Sequence, residues 1–226
     1  MRYSLLVRLF IILLVYLGLF YFGGQTGQKI LYPLRILVTF LHELGHALGA
    51  IFTGGEVRNL QINPDGSGFA MTAGGNRSII LMGGYLGSAI FGNLLFLIAA
   101  RAKPLIKPTL ILLVFGMIYA AIVWYTSPFA SFFLIGFSIS VILVMWLTNF
   151  EREVLMFFGL ASILYIIQDF NVGPSSDLQK YAELMVIFPA QVWMYIWLII
   201  ALALFLWNIK IILKLERNNS ADTLEI

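Results

Sequence analysis

The chain is a succession of apolar runs, most of them near the length of a bilayer core, separated by short stretches rich in Gly, Pro or polar residues. In hydrocarbon each main-chain amide and carbonyl has to be satisfied within its own segment, so such runs fold as helices. Seven spans are expected: about Tyr3–Phe22, with Arg8 snorkelling, then Pro33–Thr53, Ile79–Ala100, Leu110–Tyr125, Phe129–Leu147, Val154–Gln168 and Val186–Asn208. Of 226 residues, 61% are hydrophobic and 11% charged, which leaves no room for a large soluble domain. The fold class is an all-α polytopic membrane protein, with one membrane-embedded domain over residues 1–214 and a disordered polar tail over 215–226. The net charge of +3 does not point to nucleic acid, because the basic residues sit at the ends of apolar runs, where they set topology.

Two local patterns refine this picture. Val57-Arg58-Asn59-Leu60-Gln61-Ile62 and Phe69-Ala70-Met71-Thr72 flank Asn63-Pro64-Asp65-Gly66, a turn sequence between alternating strands, so a β-hairpin is expected directly after the second span. Gly84, Ser88 and Gly92 recur every four residues in the third span and form a small-residue face, expected to pack on the second span. Asn93, the one amide in the middle of that span, is expected to bridge helices. Pro33 is expected in the first turn of the second helix, and Gly54-Gly55 at its exit.

The second span contains His42-Glu43-Leu44-Gly45-His46, and these are the only two histidines in the chain. Residues four apart on a helix lie on one face, so both imidazoles can hold one metal ion while Glu43 faces a water at that metal. An ionisable group at the bilayer centre costs about 2.5–3.5 kcal/mol even on lenient scales, so three in five residues call for a compensating partner, and Zn2+ supplies one. The absence of Cys leaves His and carboxylate as ligands, the donor set of catalytic rather than structural zinc. A catalytic site needs a third protein ligand, and it must be a carboxylate. Asp177 and Asp169 are the candidates: Asp177 opens a helix, although it could simply cap it with Ser176, and Asp169 ends a short apolar span.

His42-Glu43-Leu44-Gly45-His46-Ala47, Thr53-Gly54-Gly55 and Gly83-Gly84-Tyr85-Leu86-Gly87 together resemble the site-2 protease family of intramembrane zinc metalloproteases, in particular its compact bacterial relatives. The resemblance covers mainly residues 38–95 and, more weakly, Ser176-Asp177 and the helix that follows. It implies that His42 and His46 bind zinc, that Glu43 is the general base, and that peptide bonds are hydrolysed in or near transmembrane segments of other proteins in a bacterial cell membrane. The family's Leu-Asp-Gly motif is absent, so Asp177 and Asp169 both stay open as the third ligand. The expected partners are a transmembrane protein substrate and the lipid bilayer. A catalytically idle relative acting as a membrane-helix chaperone or regulator is the alternative, though it would have no need of Glu43. A small transporter would carry more charge in its other spans.

Overall fold

A computed structural model describes residues 5–125, 127–169, 172–174 and 176–222; the side chains of 5, 6, 165–169 and 215–222 fall outside the description. In chain order the elements are α1 (Leu5–Phe22), α2 (Gly24–Phe52), β1 (Glu56–Ile62), β2 (Gly68–Ala73), α3 (Arg77–Arg101), a 3-10 turn (Lys103–Leu105), α4 (Ile106–Val123), α5 (Pro128–Leu147), α6 (Glu151–Asp169), α7 (Asp177–Met185) and α8 (Ala190–Asp222). Five of these segments are long and apolar enough to cross a membrane: Gly24–Phe52, Arg77–Arg101, Lys103–Val123, Pro128–Leu147 and Ala190–Lys214. Of the seven expected spans, the first and sixth do not reach that standard by themselves. The apolar stretch of α1, Val7–Phe22, falls short of the ~20 residues a bilayer core needs. The sixth opens on Glu151-Arg152-Glu153, with Glu153 paired to Arg8 and Glu151 to Lys107.

Boundaries move where glycine or tertiary packing overrides local signals. The helix α2 begins at Gly24, not Pro33, because Gly24 at φ +51 reverses the chain within one residue of α1. Pro33 therefore lies inside the helix, a position that membrane helices tolerate. At the other end of the chain, Val186 caps α7 in the left-handed region at φ 57, so the final helix starts four residues later than expected, at Ala190. It continues to Asp222, through residues assigned by sequence to the tail.

The central element is α2, with 72% of its most apolar window buried, against 22% for α5 and α8. It crosses α3 at glycine. A Cβ on Gly45 would overlap the Gly83 carbonyl, a Cβ on Gly83 would overlap the Gly45 carbonyl, and a Cβ on Gly49 would lie 3.0 Å from both Ile79 O and Ile80 Cα. The expected small-residue stripe of α3 in fact serves two partners. Gly84 faces the α2 histidines, whereas Gly92 abuts Gly159 on α6, and the Ser88 hydroxyl donates to Gly84 O within its own helix (2.8 Å). Asn93 does bridge helices, its Oδ1 and carbonyl both accepting from Asn208 Nδ2 of α8 at 2.9 Å.

The hairpin forms as expected, antiparallel with Leu60 opposite Ala70 and Ile62 opposite Gly68, and with an irregularity between Val57 and Asn59. Asp65 accepts from the Ser67 amide, and Gly66 adopts φ +86 at the tip. Leu60 and Ile62 are buried in the core, and the tip runs back along α2 instead of projecting from the bundle: the Tyr32 hydroxyl donates to Pro64 O and the Thr39 hydroxyl to Gly66 O, both at 2.7 Å.

Gly45→Ala should therefore lower stability in detergent by ~1–3 kcal/mol, as overpacking does, while Gly18→Ala, with nothing within 4 Å of the added Cβ, should be neutral or stabilising. Thermal unfolding of the two purified variants checks this, and equal melting temperatures would refute the crossing.

Candidate metal centre

One helical face of α2 carries the polar groups of the centre. Thr39, Glu43 and His46 lie at successive steps of four and three residues, with His42 beside them, and Thr39, Glu43 and His46 are buried. His46 Nδ1 lies 2.6 Å from the Ile80 carbonyl, which can only accept, so Nδ1 carries the proton and the neutral ring presents the lone pair of Nε2. That Nε2 is 3.2 Å from His42 Nε2.

Asp177 completes the group. Its Oδ2 lies 3.1 Å from His42 Nε2 and 3.1 Å from His46 Nε2. Three atoms, each able to bind through a lone pair, thus converge, an arrangement that suits a cation. Ligand atoms on a tetrahedral zinc are about 3.3 Å apart at ordinary bond lengths, so the observed triangle fits the ion. His42, His46 and Asp177 are the set of potential ligands that the fold assembles among the described residues.

Asp177 is free for this role because Ser176, and not Asp177, caps α7: the Ser176 hydroxyl accepts from the Gln179 amide at 3.2 Å. Burial works against the charge of Asp177, but the adjoining His42 and His46 rings outweigh it and hold the carboxyl well below the usual carboxylate range. An ionised carboxylate is the form a metal ligand requires. The side chain of Asp169, at the end of α6, lies outside the described residues. Short as it is, α7 is anchored on both sides. Tyr181 packs edge-on against Trp193 and Trp197 of α8 at 4.9 and 5.1 Å between centroids, and its hydroxyl meets Met82 Sδ of α3 at 3.3 Å.

Several groups that shape the site carried little signal in the sequence. A Cβ on Gly84 would sit 2.5 Å from His46 Nε2 and 2.6 Å from His42 Nε2, so the absence of a side chain there opens the space between the ligands. Tyr85 packs edge-on against His42, centroids 4.7 Å apart. The Ala70 amide donates to the Glu43 carboxylate, which places β2 against that residue. Gly84 and Tyr85 lay in the Gly-Gly-Tyr stretch already singled out. Ile80 and Ala70 act through main-chain atoms, which no residue type announces. A cavity of about 720 Å³ opens on the group, with β2 on one wall and α7 and the start of α3 on the other.

A family model, Peptidase M50B-like, matches residues 5–208, nearly the whole chain and the entire region just described. The chain belongs to this family. No curated protein and no solved structure matches it. Family membership makes this M50B-like chain a site-2-protease-type metallopeptidase of a kind that uses zinc, and its apolar helices make it an integral membrane protein.

In this M50B-like peptidase, Gly84→Ala should cut zinc affinity at least tenfold, because the new methyl enters the space between the two imidazoles. Asp177→Asn should also lose metal, whereas Asp169→Asn should keep it. Zinc content of the purified variants decides both points, and full zinc in Asp177→Asn would remove it from the ligand set.

Proposed function

We infer that the protein hydrolyses peptide bonds in or near transmembrane segments of other membrane proteins, with His42, His46 and Asp177 holding zinc and Glu43 as general base. The observation that carries this reading is the convergence of three donor atoms within 3.2 Å of one another, beside a buried carboxylate, in a cavity bounded by an exposed strand edge. Zinc, when bound, supplies a Lewis acid for the scissile carbonyl and brings the pKa of water to about 7.

The chain's own residues supply the rest. Glu43, held by the Ala70 amide, takes a proton from the attacking water. The hydroxide adds to the carbonyl carbon, the C–N bond breaks, and Glu43 returns the proton to the leaving nitrogen. Ile80, through His46 Nδ1, and Gly84, by lacking a side chain, hold the ligand face open and oriented.

A helical substrate buries its carbonyls in its own hydrogen bonds and has to be loosened before it can react. The β2 edge suits a loosened strand. The Leu60 amide donates to Trp124 O, away from β2, so Leu60 and Ala70 form a non-hydrogen-bonded pair. By the alternation of a strand, the main-chain groups of Gly68, Ala70 and Thr72 then point away from β1, toward the cavity those residues line. An extended segment added there would exchange helix bonds for sheet bonds. The outer edge of β1, in contrast, is occupied by Trp124. An idle binding protein would not need a base at this position, and Glu43 is intact and buried on the cavity wall.

Glu43→Gln should keep zinc and fold while lowering hydrolysis of a single-span peptide by at least ~100-fold. Turnover within about tenfold of wild type would show that another group is the base. Thr72→Pro removes an amide that faces the cavity without removing a bond to β1, so cleavage should fall while bound zinc is unchanged. Unaltered cleavage by that variant would exclude strand addition at this edge.

A further inference from the structure

Two cations line the same cavity and have no part in the reading above. Arg77 begins α3, and Lys180 lies three residues after Asp177, hence on the same side of α7. Arg8, Arg58 and Lys107 each pair with a carboxylate, whereas Arg77 and Lys180 have none within 4 Å among the described residues. The carboxylates of the cavity wall are Glu43 and Asp177, and both are engaged at the metal centre. Glu183, the other acid of α7, three residues from Lys180, accepts from Gln179 instead.

The cavity has a direction. Asp177 and Tyr85 lie at its inner end against the histidines, and α7 runs outward from there against α3, with Tyr181 on Met82 and then Met185 on Ser78. Going outward, the wall therefore presents Lys180 and then Arg77, and Thr72 of the hairpin lines the same cavity. Lys180 is about 4.5 Å along α7 from Asp177 by the helical rise. An extended strand advances roughly 3.3 Å per residue, so Lys180 with its long flexible stem, and Arg77 farther out, come within reach of substrate side chains about two to four residues from the scissile bond.

We propose that Arg77 and Lys180 select substrates carrying Asp or Glu about two to four residues from the scissile bond, on the side where the segment leaves the cavity. The inference rests on the peptidase reading, and it adds a substrate class to it. Both cations lie in the cavity of the reacting groups, which favours a substrate carboxylate over a lipid headgroup as their partner.

The test uses full-length protein in vesicles and single-span peptides that differ only in having Glu, Gln or Lys at those positions. Wild type should cleave the Glu peptide with kcat/KM about fivefold above Gln, and the Lys peptide most slowly. The double variant Arg77→Glu, Lys180→Glu should invert that order while retaining bound zinc, and the milder pair Arg77→Gln, Lys180→Gln should flatten it. Binding of the same peptides to Glu43→Gln protein is measured in parallel, so that selection is read without turnover. Acid-selective binding without cleavage by wild type would overturn the peptidase reading, and with it the reference to a scissile bond, while leaving selection of acidic segments by Arg77 and Lys180 standing. Cleavage of all three peptides at equal rates, or rates that follow the anionic lipid content of the vesicles and not the peptide charge, would overturn the substrate class alone.

Discussion

The close crossing of α2 and α3 at Gly45 and Gly83 is the contact on which the site depends. Without side chains at these positions, two helix backbones come close enough for the Ile80 carbonyl to reach His46 Nδ1 and for Gly84 to lie under both imidazoles. Lipid gives helices no hydrophobic drive to associate, so this packing and the hydrogen bonds across it have to supply the attraction. The helix contact that Gly45 and Gly83 permit thus also lets Ile80 set the tautomer of His46 and Gly84 leave the space a metal needs. Stability and metal binding therefore share one surface, and substitutions there affect both.

Placing His42, Glu43 and His46 in a membrane helix is costly unless each finds a partner. The fold meets this cost from three directions: α3 supplies a carbonyl, β2 an amide, and α7 a carboxylate. The α7 contribution is the least local, coming from 131 residues away in sequence, on a nine-residue helix held by Tyr181, Trp193 and Trp197. A helix of that length has little stability of its own. Its position, and so that of Asp177, is set by aromatic packing on α3 and α8.

The hairpin brings main-chain groups to membrane depth by resting on α2. Irregular or edge backbone is tolerated there only when it faces protein or a polar cavity. The contacts of Tyr32 and Thr39 hold the hairpin tip, and the Trp124 carbonyl takes the Leu60 amide on the side of β1 away from β2. The opposite side faces the cavity, where an incoming strand would satisfy it in turn.

Most of the architecture could be read from residue pattern, because the bilayer admits few solutions. Apolar runs dictated helices, the Asn-Pro-Asp-Gly turn dictated the hairpin, and the spacing of His42 and His46 put two ligands and Glu43 on one helix. Sequence also narrowed the third ligand to a carboxylate, since no histidine or cysteine remained, and position along the chain favoured Asp177 and Asp169 over Glu56 and Glu183. Tertiary structure brought Asp177 to both imidazoles, because proximity across 131 residues depends on how α3, α7 and α8 pack. It also moved the start of α2 to Gly24, where a left-handed glycine outweighs the preference of Pro33 for a first turn. Ile80 and Ala70 could be found only in the fold, since they act through a carbonyl and an amide that every residue of their kind possesses.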